Sequence, residues 1–186
     1  MTADSEVHDI SNENADLIGM IYPGIRSGIN SLVSKNSQYF AYTTSVSIYV
    51  YEQKTFNIVN IITRDKSAIS TISFASKSPK ILAVSYASCN VEIINAVDNL
   101  LISEFKIYSP VVSFGWLKQD TQIICFTRFY SEFFIYDVNT GKKIKLQTGL
   151  FDNIRVLAMT DSDEPIFFGG NYVGTVSRFY KGKGRS

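Results

Sequence analysis

Histidine occurs once in this chain, at His8, and cysteine twice, at Cys89 and Cys125. So few imidazoles and thiols exclude most metal-site and triad chemistry. Cys125 lies inside an apolar run and Cys89 in an expected hairpin, so both read as small structural residues of a reducing compartment rather than a disulfide framework. Charge of one sign is also lacking: 18 Lys and Arg stand against 17 Asp and Glu, a formal net charge of +1. That balance leaves no basic footprint for nucleic acid and no acidic field for cations. No apolar run reaches about 18 residues, and no basic region precedes an apolar one at the N-terminus. No Asn-x-Ser/Thr acceptor occurs either. The expectation is a cytoplasmic, intracellular protein without stable membrane insertion.

What is there is apolar substance: 45% of the 186 residues are hydrophobic and 13% aromatic, enough for one globular unit with a sizeable core. The stretch from Thr2 to Asp16 holds Asp4, Glu6, Asp9, Glu13 and Asp16 without Lys or Arg. It has no period, so residues 1–16 read as a disordered acidic leader.

Beyond the leader the chain repeats. Ile29, Ile69, Val111 and Ile154 begin four similar segments separated by 40, 42 and 43 residues. Leu32, Ile72, Phe114 and Leu157 follow at a common offset of three, and Phe40, Ile81, Ile123 and Ile166 open the next strand. Tyr51, Ile94, Tyr136 and Phe179, separated by 43, 42 and 43 residues, close a third. Within each unit, β-branched and aromatic runs alternate with turn residues, and no helical period appears. The second unit divides into strands a (Ile69 to Phe74), b (Ile81 to Ser85), c (Val91 to Asn95) and d (Leu101 to Ile107). In the third, Val111 to Trp116, Ile123 to Thr127, Phe133 to Asp137 and Lys143 to Leu146 correspond, with Gly141 placed to supply a positive φ in the c–d turn. The fourth has Ile154 to Met159, Ile166 to Gly170 and Thr175 to Tyr180, one strand short.

Strands such as Ile81-Leu82-Ala83-Val84 and Ile123-Ile124-Cys125-Phe126 are apolar on both sides and require cover on two faces. Ser103-Glu104-Phe105-Lys106 alternates instead, as a half-exposed outer strand does. A period near 42 with these strand classes predicts an all-β fold, a β-propeller of four visible blades. The units fall near 29–68, 69–110, 111–153 and 154–181, within a propeller segment 17–181 followed by a basic tail 182–186. Leu17 to Tyr22, apolar and strand-length, is expected to lend an outer strand to the last blade.

The c-strand endings Tyr51-Glu52, Ile94-Asn95, Tyr136-Asp137 and Phe179-Tyr180 resemble those of the WD-repeat β-propeller family, which ends this strand in Trp-Asp. Tyr136-Asp137 is the closest. The family's Gly-His pair and b–c hairpin aspartate are absent, so its polar tetrad cannot form and the repeats are degenerate. Phe40-Ala41-Tyr42, Ile48-Tyr49-Val50-Tyr51, Lys66, Ile69, Ile72-Ser73-Phe74, Ser78-Pro79 and Ile93-Ile94-Asn95 extend the resemblance to the N-terminal propeller of one long member, over roughly residues 25 to 181. What it implies is an interaction propeller in a longer protein with helical repeats after it and no catalytic role. Closed rings of the family commonly have about seven blades. The resemblance therefore implies a fragment, a ring completed by another chain, or an unusually small ring.

Enzymatic raw material is thin. Asp161, Asp163 and Glu164 read as a solvated a–b turn before Pro165. Gly169, Gly170 and Gly174 lack the following helix and the Lys-Ser/Thr of a phosphate loop. Lys181, Lys183 and Arg185 are too few for membrane attachment. No catalytic residue, cofactor or metal is expected. Partner-binding residues are expected on the loops. The third b–c hairpin supplies Arg128, Phe129 and Tyr130, its equivalents Tyr86 and Tyr172, and the d–a connections Arg64 and Tyr108. Arg and aromatic side chains dominate interface energetics. The expected function is a non-enzymatic scaffold for other proteins, or alternatively a coat or trafficking subunit whose partial propeller a partner chain completes.

Overall fold

The structure, a computed structural model, describes residues 5–9, 16–21, 33–64, 67–127, 133–138, 142–146, 154–159, 167–171 and 176–179. Every regular element among them is a strand. Strands β1 (Ser5–Asp9) and β2 (Asp16–Ile21) pair antiparallel as a two-stranded sheet. The first blade is the meander β3 (Val33–Lys35), β4 (Tyr39–Thr43), β5 (Ser47–Glu52) and β6 (Ile58–Thr63). The second comprises β7 (Ile69–Phe74), β8 (Ile81–Tyr86), β9 (Asn90–Asn95) and β10 (Leu100–Lys106). The third comprises β11 (Val111–Leu117), β12 (Gln122–Thr127), β13 (Phe133–Asp137) and β14 (Lys143–Leu146). A three-stranded sheet follows: β15 (Ile154–Met159), β16 (Phe167–Asn171) and β17 (Val176–Phe179). The inner strands contact one another in chain order, β3 on β7, β7 on β11 and β11 on β15.

Two expectations need correction. Residues 5–9 of the expected disordered leader form a strand, because the apolar β2 presents a ladder of N–H and C=O groups that β1 satisfies despite its poor local propensity. For the same reason β2 is not lent to the last blade: its partner is β1, with Ser5 opposite Ile21. Ile29, Leu32, Gly141, Ile166 and Asp161 to Glu164 lie outside the described residues. Gly169 and Gly170 lie in β16, paired with Leu157 and Val156 on one side and Ser177 and Val176 on the other, so they belong to a strand and not a phosphate loop.

The period extends to irregularities that composition does not show. Register shifts skip Ser70, Val112 and Arg155 just inside the first strand of three units, separated by 42 and 43 residues. Val59 and Ile102 are skipped likewise in two outer strands. A bulge adds a local right-handed twist, which bends each blade in the same place.

Both faces of the second blade are buried. Leu82, Val84 and Ile94 pack with Ala41, Ile48, Val50 and Ile62 of the first blade. Ala83, Val91 and Ile93 pack with Trp116, Ile123, Cys125 and Phe134 of the third. Successive residues of β8 thus serve opposite neighbours, as strand alternation dictates. The outer strand β10 alternates from Ser103 to Lys106 as expected. Both cysteines are free thiols, Cys125 buried.

Polar groups fasten the blades where the apolar faces end. Ser34 Oγ accepts the Phe74 N–H at 2.9 Å, and Ser73 Oγ accepts Trp116 Nε1–H at 3.2 Å. The Asp120 carboxylate, in the a–b turn of the third blade, accepts the N–H groups of Ser76, Lys77 and Ser78 at 3.1, 2.6 and 2.7 Å. To point it there, Lys118, Gln119 and Asp120 hold φ of 48°, 54° and 68° in succession. A side chain with Cβ disfavours this region by about 1 kcal/mol per residue. Gln119 is exposed, and Gln119→Gly is expected to raise stability by up to about 1 kcal/mol in urea unfolding.

Candidate interaction site

The b–c hairpin of the second blade sits between two d–a connections. Ala87 N–H donates to Ala68 O at 2.8 Å, Ser88 N–H to Ser67 Oγ at 3.0 Å, and Ile107 N–H to Cys89 O at 2.9 Å. Cys89 turns the hairpin with φ 66°. Tyr86, at the end of β8, and the connections carrying Arg64 and Tyr108 are thereby gathered at this hairpin, but the three side chains have different fates.

Tyr86 is fully buried, which removes it from the expected partner-binding set. Its hydroxyl donates to Glu92 Oε2 at 2.7 Å. Burial, and then the neighbouring Glu92 carboxylate, push that hydroxyl well above the usual tyrosine range. Glu92 is itself 3% exposed and meets Arg64 Nε at 3.3 Å. Arg64 Nη2 also donates to Asn99 Oδ1 at 2.8 Å. Arg64 therefore spends its guanidinium on bracing the first blade against the second, and its side chain is 23% exposed.

Tyr108 is 82% exposed. Its ring tilts against Phe134 of β13 at 6.4 Å, and Lys143 Nζ of β14 stands 4.5 Å from the Tyr108 ring centre and 4.4 Å from that of Phe134. An ammonium over two ring faces is a favourable cation–π arrangement. Beneath it, Tyr136 stacks on Phe105 at 3.8 Å and donates its hydroxyl to Lys106 O at 3.4 Å. This junction of the second and third blades is the candidate site. Lys143 and Phe134 were not anticipated from sequence; the only signal was the run Lys142-Lys143-Ile144-Lys145 in an outer strand. Arg128, Phe129, Tyr130 and Tyr172 lie outside the described residues.

Burial first, then Cys125 and Tyr108, push the Tyr136 hydroxyl up to about 12 from its ordinary 10. The folded state holds this proton more tightly than the unfolded chain. Its contribution to stability is therefore complete below pH 10 and falls as pH rises toward about 12. Tyr42, raised chiefly by burial, Tyr86, and the buried Cys125 thiol act in the same direction. The share of tyrosinate absorbance that belongs to Tyr42, Tyr86 and Tyr136 is expected to appear only with loss of the fold, above pH 10. Complete ionisation of all eleven tyrosines below about pH 10.5, with the fold intact, would contradict this packing.

Among the described residues no three His, Cys, Asp or Glu side chains converge to hold a metal, and no helix is long and apolar enough to cross a membrane. No family model and no curated protein sequence matches the chain. Solved structures do. The chain is similar to U3-55K, with a TM-score of 0.73 at 15% identity over 90% of this chain and 52% of that one. It is similar to a chain of the mitotic checkpoint complex, with a TM-score of 0.76 at 14% identity over 94% of this chain and 55% of that one. The computationally designed Ika4 protein superposes with a TM-score of 0.65 at 14% identity over 84% of this chain and 94% of that one. The chain thus spans about half the length of the first two. Such likeness shows the fold: an all-β β-propeller built from four-stranded antiparallel blades.

Proposed function

We propose that this chain is a non-enzymatic scaffold for protein–protein contact, working inside the cell. The observation that supports it is Tyr108, a large aromatic ring held outward at a blade junction by Lys143 and Phe134. A fixed, exposed Tyr offers contact area at small entropic cost, the property that makes this residue type frequent at binding hot spots. The particular resemblance of Phe40-Ala41-Tyr42 and Ile48-Tyr49-Val50-Tyr51 is to the N-terminal propeller of WD repeat-containing protein 17. By that likeness the segment serves as the interaction propeller of a longer protein with helical repeats.

The test is quantitative capture from the source cell with the tagged chain, Tyr108→Ala, and Phe129→Ala with Tyr130→Ala. Stoichiometric partners are expected to fall by at least about fivefold with the variants, at unchanged melting temperature. Equal recovery with all three chains, or no enrichment over an unrelated propeller, removes the scaffold reading. A double variant that melts several degrees lower assigns Phe129 and Tyr130 to packing instead.

A further inference from the structure

The outer strands of the three four-stranded blades differ in character. In β6, Ile58 and Ile61 are exposed, and in β10 exposed Leu100, Leu101 and Ile102 precede a charged pair of opposite signs, Glu104 and Lys106. The segment containing β14 reads Lys142-Lys143-Ile144-Lys145-Leu146, three lysines and no acid. Lys142 and Lys143 are exposed, and Lys143 and Lys145 lie opposite Tyr136 and Phe134 in the ladder. β14 ends its sheet, so among the described residues its outer edge has no strand beside it. A row of unmatched N–H and C=O groups is a template for a further strand. The lysines decide which strand: they repel a basic or second lysine-bearing edge and attract carboxylates. Lys143 is already held over two rings, so less side-chain freedom is lost when a carboxylate meets it.

We propose that the outer edge of the third blade, with Lys143 and Tyr108 beside it, takes an extended acidic segment of a partner protein as a fifth strand. Backbone hydrogen bonds along β14 supply the pairing, and a carboxylate of the added strand meets Lys143 where it stands beside Tyr108. This rests on the scaffold reading and names the chemistry of one partner.

The probe is a fluorescein-labelled peptide of about ten residues alternating Glu and Val, titrated with the full chain by anisotropy. Saturable binding is expected, weakening at least about tenfold between roughly 50 and 500 mM salt. Lys143→Glu with Lys145→Glu is expected to cost at least about tenfold in affinity and Tyr108→Ala about threefold. A Gln-for-Glu peptide and a peptide N-methylated at alternate amides are both expected to lose binding. Equal binding by the Gln peptide, or by the lysine variant, overturns the carboxylate recognition, and the lysines then only keep the edge from aggregating. Equal binding by the N-methylated peptide overturns strand addition. Displacement of the probe by a peptide of residues 2–16, at equal or lower concentration, makes this chain's own acidic segment the occupant and overturns the partner assignment. If the probe fails while capture still depends on Phe129 and Tyr130, the scaffold reading stands and only this edge assignment falls.

Discussion

Replacing Asp120 by alanine is expected to lower the melting temperature by about 5–10 °C, the effect of losing about 2–3 kcal/mol in a chain of this size. Its carboxylate gathers three successive N–H groups from Ser76, Lys77 and Ser78, a turn of the neighbouring blade. Charge-assisted bonds of this kind contribute about 1.5–3 kcal/mol each where they are shielded from water. Ser76 and Lys77 are exposed, so water replaces part of what is lost and the sum is well below three full bonds. Asn36 secures the other side of the same turn, with Nδ2 donating to Pro79 O at 2.8 Å. The second blade therefore stays attached to the first when the third loosens. Asp120→Asn, which keeps one accepting oxygen and tolerates the positive φ, is expected to cost about half as much. Trp116 makes the measurement specific: it is buried between the second and third blades and is the only tryptophan, so its emission reports that boundary. Far-ultraviolet and tryptophan transitions that coincide with those of the parent chain, at the parent temperature, would show that Asp120 does not clasp the blades.

Arg64→Ala is expected to cost about 3 kcal/mol, because it leaves the Glu92 carboxylate buried without its guanidinium partner. Arg64 is partly exposed, which places the cost at the low end of the range for a broken buried pair. Glu92→Gln is expected to cost less, since the amide oxygen still accepts the Tyr86 hydroxyl. A joint replacement, Arg64→Met with Glu92→Leu and Tyr86→Phe, removes both charges and the hydroxyl together. It is expected to recover at least about half of the loss seen in Arg64→Ala. Urea midpoints for Arg64→Met, Glu92→Leu and Tyr86→Phe, made singly, in pairs and together, close the thermodynamic cycle. Additive losses would mean that the three groups act independently, contrary to their 2.7 and 3.3 Å contacts.

Much of the architecture was legible because it depends on alternation and period. Burial of Leu82 and Ala83 toward opposite neighbours follows from an apolar run in a strand, which must be covered on both faces. The boundaries of β7, β13, β14 and β15 agree with those read from the residues alone, since Ser, Pro, Asp and Gly punctuate them. β1 was illegible: an acidic stretch carries no strand signal of its own, and its pairing depends on what β2 presents.

The candidate site was legible only in part. Tyr108 stood out as an aromatic in a connection, and it is exposed. Tyr86 is the same residue type, at the end of β8 where the b–c hairpin begins, yet it is core: its ring is buried and its hydroxyl meets the carboxylate six residues later. Hydropathy cannot separate these two tyrosines. Nor does Glu92, a charged residue within an apolar strand, announce that Arg64 of the preceding unit will neutralise it.

By itself, then, the sequence determined the strand content, the repeat near 42 residues and the two-sided burial of the inner strands. These are properties of neighbouring residues, encoded by side-chain periodicity and turn chemistry. The tertiary structure decided which polar groups lock one blade to the next, which tyrosine is buried, and that Lys143 stands over Tyr108 and Phe134. Those depend on where side chains six to 42 positions apart in the chain meet, which is set only when strands pair and blades stack.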